Sequence, residues 1–160
     1  MTELNKTEAL RRSVLGTELD PDETRLLAER MGVERLADGE VLVSEGEARR
    51  SLFLLADGHL DVGRVAQGHE AGAYRMRAGE CAGTRAFVDG SARKAALRSV
   101  GESVVMTLEP EDFESLLDDH PRLVYKVMRA IFRITHANLM RVNLESAEMR
   151  NYLTRTGGRY

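Results

Sequence analysis

At 160 residues, with 42% hydrophobic and 31% charged side chains, the chain has the make-up of one globular domain with a sizeable core. Its net charge of −3 provides no global positive field to draw in nucleic acid, and its one cysteine, Cys81, excludes an internal disulfide and a multi-cysteine zinc site. No apolar run approaches a membrane span and the N-terminus lacks the apolar core of a signal peptide, so a cytoplasmic protein without a membrane partner is expected.

Residues 1–19 read as a polar helical or flexible segment, in which Leu4, Ala9, Leu10 and Val14 suit one weak amphipathic helix. The domain proper is expected over 20–153. Asp20-Pro21-Asp22-Glu23 is a strong helix start, with a cap residue, a proline at the first position and acids in the first turn. Leu26, Leu27 and Met31 mark one buried face, and Gly32 ends the helix.

From Val33 the period changes. Short apolar or alternating runs, such as E-V-L-V, S-L-F-L-L and H-L-D-V-G-R-V, follow one another. Asp38-Gly39, Asp57-Gly58 and Asp89-Gly90 are among the breaks between them, and such pairs are hairpin signals. The spacing predicts an antiparallel sandwich or roll rather than a parallel sheet. Residues 67–73 have the composition of an exposed hairpin tip.

Within this region, G-E-C-A-G-T-R-A-F-V-D-G-S-A-R-K-A-A-L (79–97) has the pattern of an anion pocket. A short helical turn offers free amides, and Arg93 adds a permanent planar cation from across the loop. The plainer alternative is a glycine-punctuated hairpin with one exposed arginine.

After Leu108 the helical period returns. Pro110-Glu111-Asp112 opens a short helix with Phe113, Leu116 and Leu117 on one face. Residues 121–153 then read as one long helix, apolar around more than one face in its first half. Its second half keeps a narrow stripe of Val142, Met149 and Leu153 near seven-residue spacing. With Ile131 and Phe132, these residues are expected to hold a homodimer. Residues 154–160 read as a disordered tail.

The order of these elements resembles the cyclic nucleotide-binding domains of catabolite activator proteins and kinase regulatory subunits. The resemblance is carried by G-E-V-L-V-S-E-G-E (39–47), S-L-F-L-L-A-D-G-H-L-D-V (51–62), the stretch 79–97, and P-E-D-F-x-x-L-L followed by the long helix. It implies an α+β fold, mainly β: an antiparallel, jelly-roll-like β-roll of about eight strands, flanked by an N-terminal helix and a long C-terminal helix.

It also implies a phosphate-binding cassette made from Gly83, Thr84, Arg85, Arg93, Lys94 and Ala95. The cassette departs from the family pattern, roughly F-G-E-x-A-L-L followed by R-x-A. Arg93-Lys94-Ala95 matches the arginine that grips a cyclic phosphate. Thr84 stands where the family has the carboxylate that accepts the ribose 2′-hydroxyl, a loss on the order of 1.5–3 kcal/mol. Arg85 replaces an apolar residue and either points outward or adds a second cation. Asn138 and Thr135 on the long helix are the candidates for contacting a base; alternatively Asn138 fixes the register of a helix seam.

Other chemistry is weaker. His59, His69, His120 and His136 lack metal-ligand spacing, and no serine has nucleophile-elbow context. Cys81 reads as a core thiol, and Arg49-Arg50 as solvated positions. Two functions follow. The first is a non-enzymatic regulatory module that takes a cyclic nucleotide (cAMP or cGMP) or another anion and signals through a dimerising helix to an unidentified protein partner. The second is a degenerate, ligand-free scaffold. The chain ends with the long helix, so no direct reading of DNA is expected.

Overall fold

The computed structural model describes residues 3–63, 65, 66, 69, 70 and 74–157. Side chains are described through residue 63, from 74 to 141, and at Leu144. Helix α1 (Lys6–Arg11) is capped by Asn5, whose side-chain oxygen accepts from the Glu8 amide at 3.0 Å. Helix α2 (Pro21–Glu29) begins as its sequence suggests: Asp20 and Glu23 bond reciprocally in a capping box. The strands are β1 (Gly32–Leu36), β2 (Val41–Val43), β3 (Leu52–Gly63), β4 (Val65–Ala66), β5 (His69–Glu70), β6 (Tyr74–Arg77) and β7 (Cys81–Ala82), with β8 (Ala96–Leu108) after helix α3 (Thr84–Asp89). Helices α4 (Pro110–Glu114) and α5 (Pro121–Gly157) close the chain.

Among the described residues the main sheet is antiparallel and has six strands, against the roll of about eight implied by the resemblance. Its order is β1-β8-β3-β6, with β2 also on β8 and β7 also on β3. Strands β4 and β5 form a separate two-stranded pair. Most of residues 67–73, expected as a hairpin tip, lies outside the described residues.

Side-chain alternation along β3 divides the core in two. Leu52 and Leu54 join Met106, Leu108, Leu27, Leu123 and Val127 beneath the helices. Phe53 and Leu55 join Leu36, Val43, Leu60, Leu97 and Val105 inside the roll. All four β3 residues are fully buried, so this strand is covered on both faces. Leu10 and Leu15 also sit in the helical core, which makes the 1–19 segment part of the same packing unit.

The three Asp-Gly pairs do not make the expected hairpins. Asp57-Gly58 lies inside β3, and the register slips there against β8. Asp38-Gly39 turns the corner between β1 and β2, both of which pair with β8. Asp89-Gly90 ends α3. All three glycines have positive φ. A hairpin turn, a sheet corner and a helix C-cap share that requirement, so the dipeptide alone cannot separate them. Of residues 154–160, expected as a tail, 154–157 carry the helical backbone of α5, and 158–160 lie outside the described residues.

At the bend in β3, a Cβ on Gly58 would lie 2.5 Å from the Glu102 carbonyl oxygen and 2.9 Å from the Ser103 Cα. Gly101, also at positive φ, has open space around it. Gly58→Ala is therefore expected to destabilise the fold by about 3 kcal/mol, and Gly101→Ala by only about 1 kcal/mol, measured by urea unfolding.

Candidate functional site

Two loops and the centre of β3 converge on Arg93. The backbone of the Arg93 loop is tied to the S-E-G-E turn: Arg93 N–H donates to the Glu47 carbonyl at 3.0 Å, and Gly46 N–H donates to the Arg93 carbonyl at 2.8 Å. The first and third motifs of the sequence therefore form one structure. The Arg93 side chain turns inward and is only 5% exposed. Its Nη2 donates to the Ser51 carbonyl at 2.5 Å, and its guanidinium carbon lies 4.7 Å from the centre of the Phe53 ring.

Gly83 forms the other wall. It is the N-cap of α3 with φ +85°, and a Cβ there would lie 2.0 Å from Arg93 Nη1. Glycine is required twice over, by backbone conformation and by the guanidinium pressed against it. Nε and Nη1 of Arg93 are buried without a hydrogen-bond partner. Burial first, and the neighbouring Arg49 second, push the proton affinity of Arg93 down, while Glu47 and Glu109 act the other way. Arginine nonetheless keeps its charge at any ordinary pH. The result is a buried cation with two idle donors.

Arg49 was expected to be solvated. Instead it bonds Glu34, donates from Nε to Ser51 Oγ at 3.2 Å, and stands 5.0 Å from the centre of the same Phe53 ring. Ser51 Oγ in turn donates to Glu109 at 2.6 Å. Arg50 rests on the end of α3, with its Nε 3.4 Å from the Ala86 carbonyl oxygen. Sequence reasoning missed Arg49, Ser51 and Phe53 as surroundings of Arg93. The only available signal was the place of Ser51 and Phe53 in the S-L-F-L-L motif and of Arg49 just before it.

The other cassette residues divide. Thr84 is buried, and its hydroxyl meets that of Thr135 on α5 at 2.8 Å. Thr135 Oγ1 also donates to the Ile131 carbonyl at 2.8 Å, so the proton shared between the two threonines comes from Thr84. Arg85 and Lys94 are exposed, and Ala95 is half-buried. Arg85 thus points outward, beside Asp89.

Asn138 is exposed and lies away from Arg93's immediate partners. It lines a pocket of about 150 Å³ with Tyr74, Met76, Glu80, Cys81 and Ile134. There Arg141 lies over the Tyr74 ring at 3.8 Å, and Tyr74 OH donates to Glu80 at 2.5 Å. Burial, with Glu80 second, pushes the Cys81 thiol up to about 12, as befits an inert core thiol.

Of the residues expected at a dimer interface, Ile131 is buried in its own chain's core, whereas Phe132 is 69% exposed. Val142, Met149 and Leu153 lie on the helical backbone of α5, but their side chains lie outside the described residues. Among the described residues no cluster of side chains is arranged to hold a metal ion, and no helix is long and apolar enough to cross a membrane.

The family profile described as cyclic nucleotide-binding domain matches residues 33–120, more than half of the chain. The chain belongs to the cyclic nucleotide-binding domain family. The match takes in β1 to α4 and so contains Gly83, Thr84 and Arg93. A cyclic nucleotide-binding domain from Methylobacillus flagellatus is 20% identical, with TM-score 0.76 over 85% of this chain and 77% of that one. The catabolite activator protein of Thermus thermophilus is 22% identical, with TM-score 0.76 over 86% of this chain and 63% of that one. The regulatory domain of Toxoplasma gondii PKA, solved with cAMP, is 22% identical, with TM-score 0.63 over 71% of this chain and 44% of that one. These likenesses establish the fold. No curated protein matches the chain significantly in sequence.

A buried guanidinium with idle donors is a burden on the fold. Arg93→Met, which keeps the stem and removes the charge, is expected to leave the melting temperature unchanged or raise it, by up to roughly 1–4 kcal/mol of stability. A clear loss of stability, measured by calorimetry, would make Arg93 a structural residue instead.

Proposed function

We propose that this domain is a non-enzymatic regulatory module that takes a small anionic ligand at Arg93 and signals through α5 to a second copy of the chain. The observation that carries the reading is Arg93 itself: a nine-tenths buried cation, at the family's cassette position, with Nε and Nη1 lacking partners. A group so placed is unfavourable unless an acceptor completes it. cAMP or cGMP is the family's ligand class, and Thr84 in the place of the carboxylate argues for weak binding or for a different anion. Gly83, Thr84 and Arg93 form the ligand side; Arg85, Lys94 and Ala95 frame its mouth.

The output side rests on α5. Tyr125, Phe132 and Leu139 recur at seven-residue spacing and are 62, 69 and 56% exposed, with Met128 between them. Val142, Met149 and Leu153 continue the same two rows in sequence. Each aliphatic or aromatic side chain buried there would contribute about 1.5–3 kcal/mol, and an isologous pair of helices doubles the number. Thr135 and Asn138 lie along the same helix as the candidates for contacting a base, with a place in the helix seam as the alternative for Asn138. A soluble cytoplasmic setting fits this composition.

The Thr84–Thr135 contact favours a second reading, in which the cassette is closed and the domain is a ligand-free scaffold dimer. The two readings separate on one comparison. Titration calorimetry with cAMP is expected to give an affinity no tighter than micromolar. For any anion that binds, Arg93→Ala should weaken binding tenfold or more and Arg85→Ala less than threefold. Equal small effects would favour the scaffold.

The dimer has its own measurement. Sedimentation at micromolar concentration is expected to give a dimer for the natural chain and a monomer for Phe132→Glu with Leu139→Glu. A monomeric natural chain would remove α5 as the output.

A further inference from the structure

One residue of α5 belongs to two arrangements at once. Tyr125, Phe132 and Leu139 make one row of its outer face at seven-residue steps, and Met128, Val142 and Met149 keep to a second row in sequence. The second row has a gap seven residues after Met128 and seven before Val142, and the residue at that position is Thr135. Thr135 is half-buried, between Ile131, one turn earlier in the core, and the exposed Phe132. Its hydroxyl faces the cassette: the Thr84 hydroxyl donates to it at 2.8 Å, and it donates in turn to the Ile131 carbonyl at 2.8 Å.

The contact is costly to break from the cassette side. Thr84 is 7% exposed, so its hydroxyl has little water to turn to, and without Thr135 its proton is left buried and unpaired. On the α5 side, Thr135 is β-branched and its hydroxyl is bonded twice, which fixes its rotamer and leaves its methyl as the group available to the outer face. The start of α3 is enclosed in its turn. Gly83, the residue before Thr84, lies against Arg93, and Phe87, one turn later, packs against Phe113. The cassette and the second row of α5 therefore share one hydrogen bond, made entirely by side chains of this chain.

We infer that the Thr84–Thr135 hydroxyl pair is the joint between the cassette and the α5 seam, and that this joint, rather than a bound nucleotide, sets the strength of the dimer. The inference rests on reading α5 as the dimer helix. It fixes the sign of regulation: the joint needs no third group, so a ligand acts on the dimer by loosening a contact, not by making one. Thr135 is a positioning residue, and Thr84, standing in the place of a carboxylate, is the cassette's hold on it.

Sedimentation equilibrium on the full chain, with and without millimolar cAMP, tests this through the dimer dissociation constants of Thr84→Val, Thr84→Ser, Thr135→Val and the double valine variant. Thr84→Val, close in shape but without a donor, is expected to weaken the dimer at least threefold. Thr84→Ser keeps the hydroxyl and should stay within twofold of the natural chain. In the Thr135→Val background, Thr84→Val should have no further effect, whereas a general loss of folding would persist there. cAMP should leave the natural dimer unchanged or weaken it.

If Thr84→Val does not fold, Thr135→Ala compared with Thr135→Ser isolates the same bond at a half-buried position, and only the alanine should weaken the dimer. A natural dimer that loss of either hydroxyl leaves unchanged, or that cAMP tightens tenfold, would overturn the inference and leave α5 standing as the output. A monomeric natural chain would overturn both.

Discussion

The structure is arranged around one cation that it buries and does not neutralise. Arg93 reaches between Phe53 and the Ser51 carbonyl on one side and Gly83 on the other, two stretches about thirty residues apart in the sequence. Phe53 belongs to the strand covered on both faces, so the ring that receives the guanidinium cannot move without disturbing the roll. Gly83 must lack a side chain for the guanidinium to fit. The S-E-G-E turn holds the arginine's own backbone. A desolvated charge with incomplete hydrogen bonding is among the least favourable things a fold can retain, and this one is retained with its surroundings fixed on three sides.

The same sheet explains how the cassette meets the long helix. Strands β3 and β8 are long and bent, and their registers slip where Gly58 lies opposite Glu102 and Ser103. Alternation along β3 sends Phe53 towards the arginine and Leu52 and Leu54 towards the helices, so one strand contributes to both cores. Phe87 of α3 joins the helical core and packs 5.4 Å from Phe113. Helix α3 therefore has one end at the arginine and its apolar face beneath α5.

Much of this was legible before any coordinates. The change from helical to strand period at Val33 and back after Leu108, the capped start at Asp20 and the approach of Arg93 to the short helix from across the loop all follow from residue pattern. The Asp-Gly pairs misled because their common property, positive φ at glycine, serves corners and caps as well as hairpins. Arg49 misled because a guanidinium on a long stem reads as solvated until the ring and the carboxylate beside it are known. Thr84 was read only as a missing carboxylate. Its bond to Thr135 links residues 51 positions apart, and no local pattern carries such a contact. Ile131 and Phe132 were grouped together, although adjacent helical positions point about 100° apart, and one faces inward and the other outward.

The ion pairs of the N-terminal segment give α5 the mechanics of a beam clamped at one end. Glu18 holds both Arg129 and Arg133, and Glu23 holds Lys126, all before Thr135. Arg129 and Arg133 draw the Glu18 carboxyl down to about 2, so this clamp keeps its charge through any physiological pH. Beyond Thr135 the helical backbone runs on to Gly157, roughly 33 Å at 1.5 Å per residue. A shift of a few tenths of an ångström beside the clamp grows in proportion to that length. The geometry is that of an amplifier: a displacement too small to repack a core becomes, at the far end, large enough to change which residues of two neighbouring helices meet.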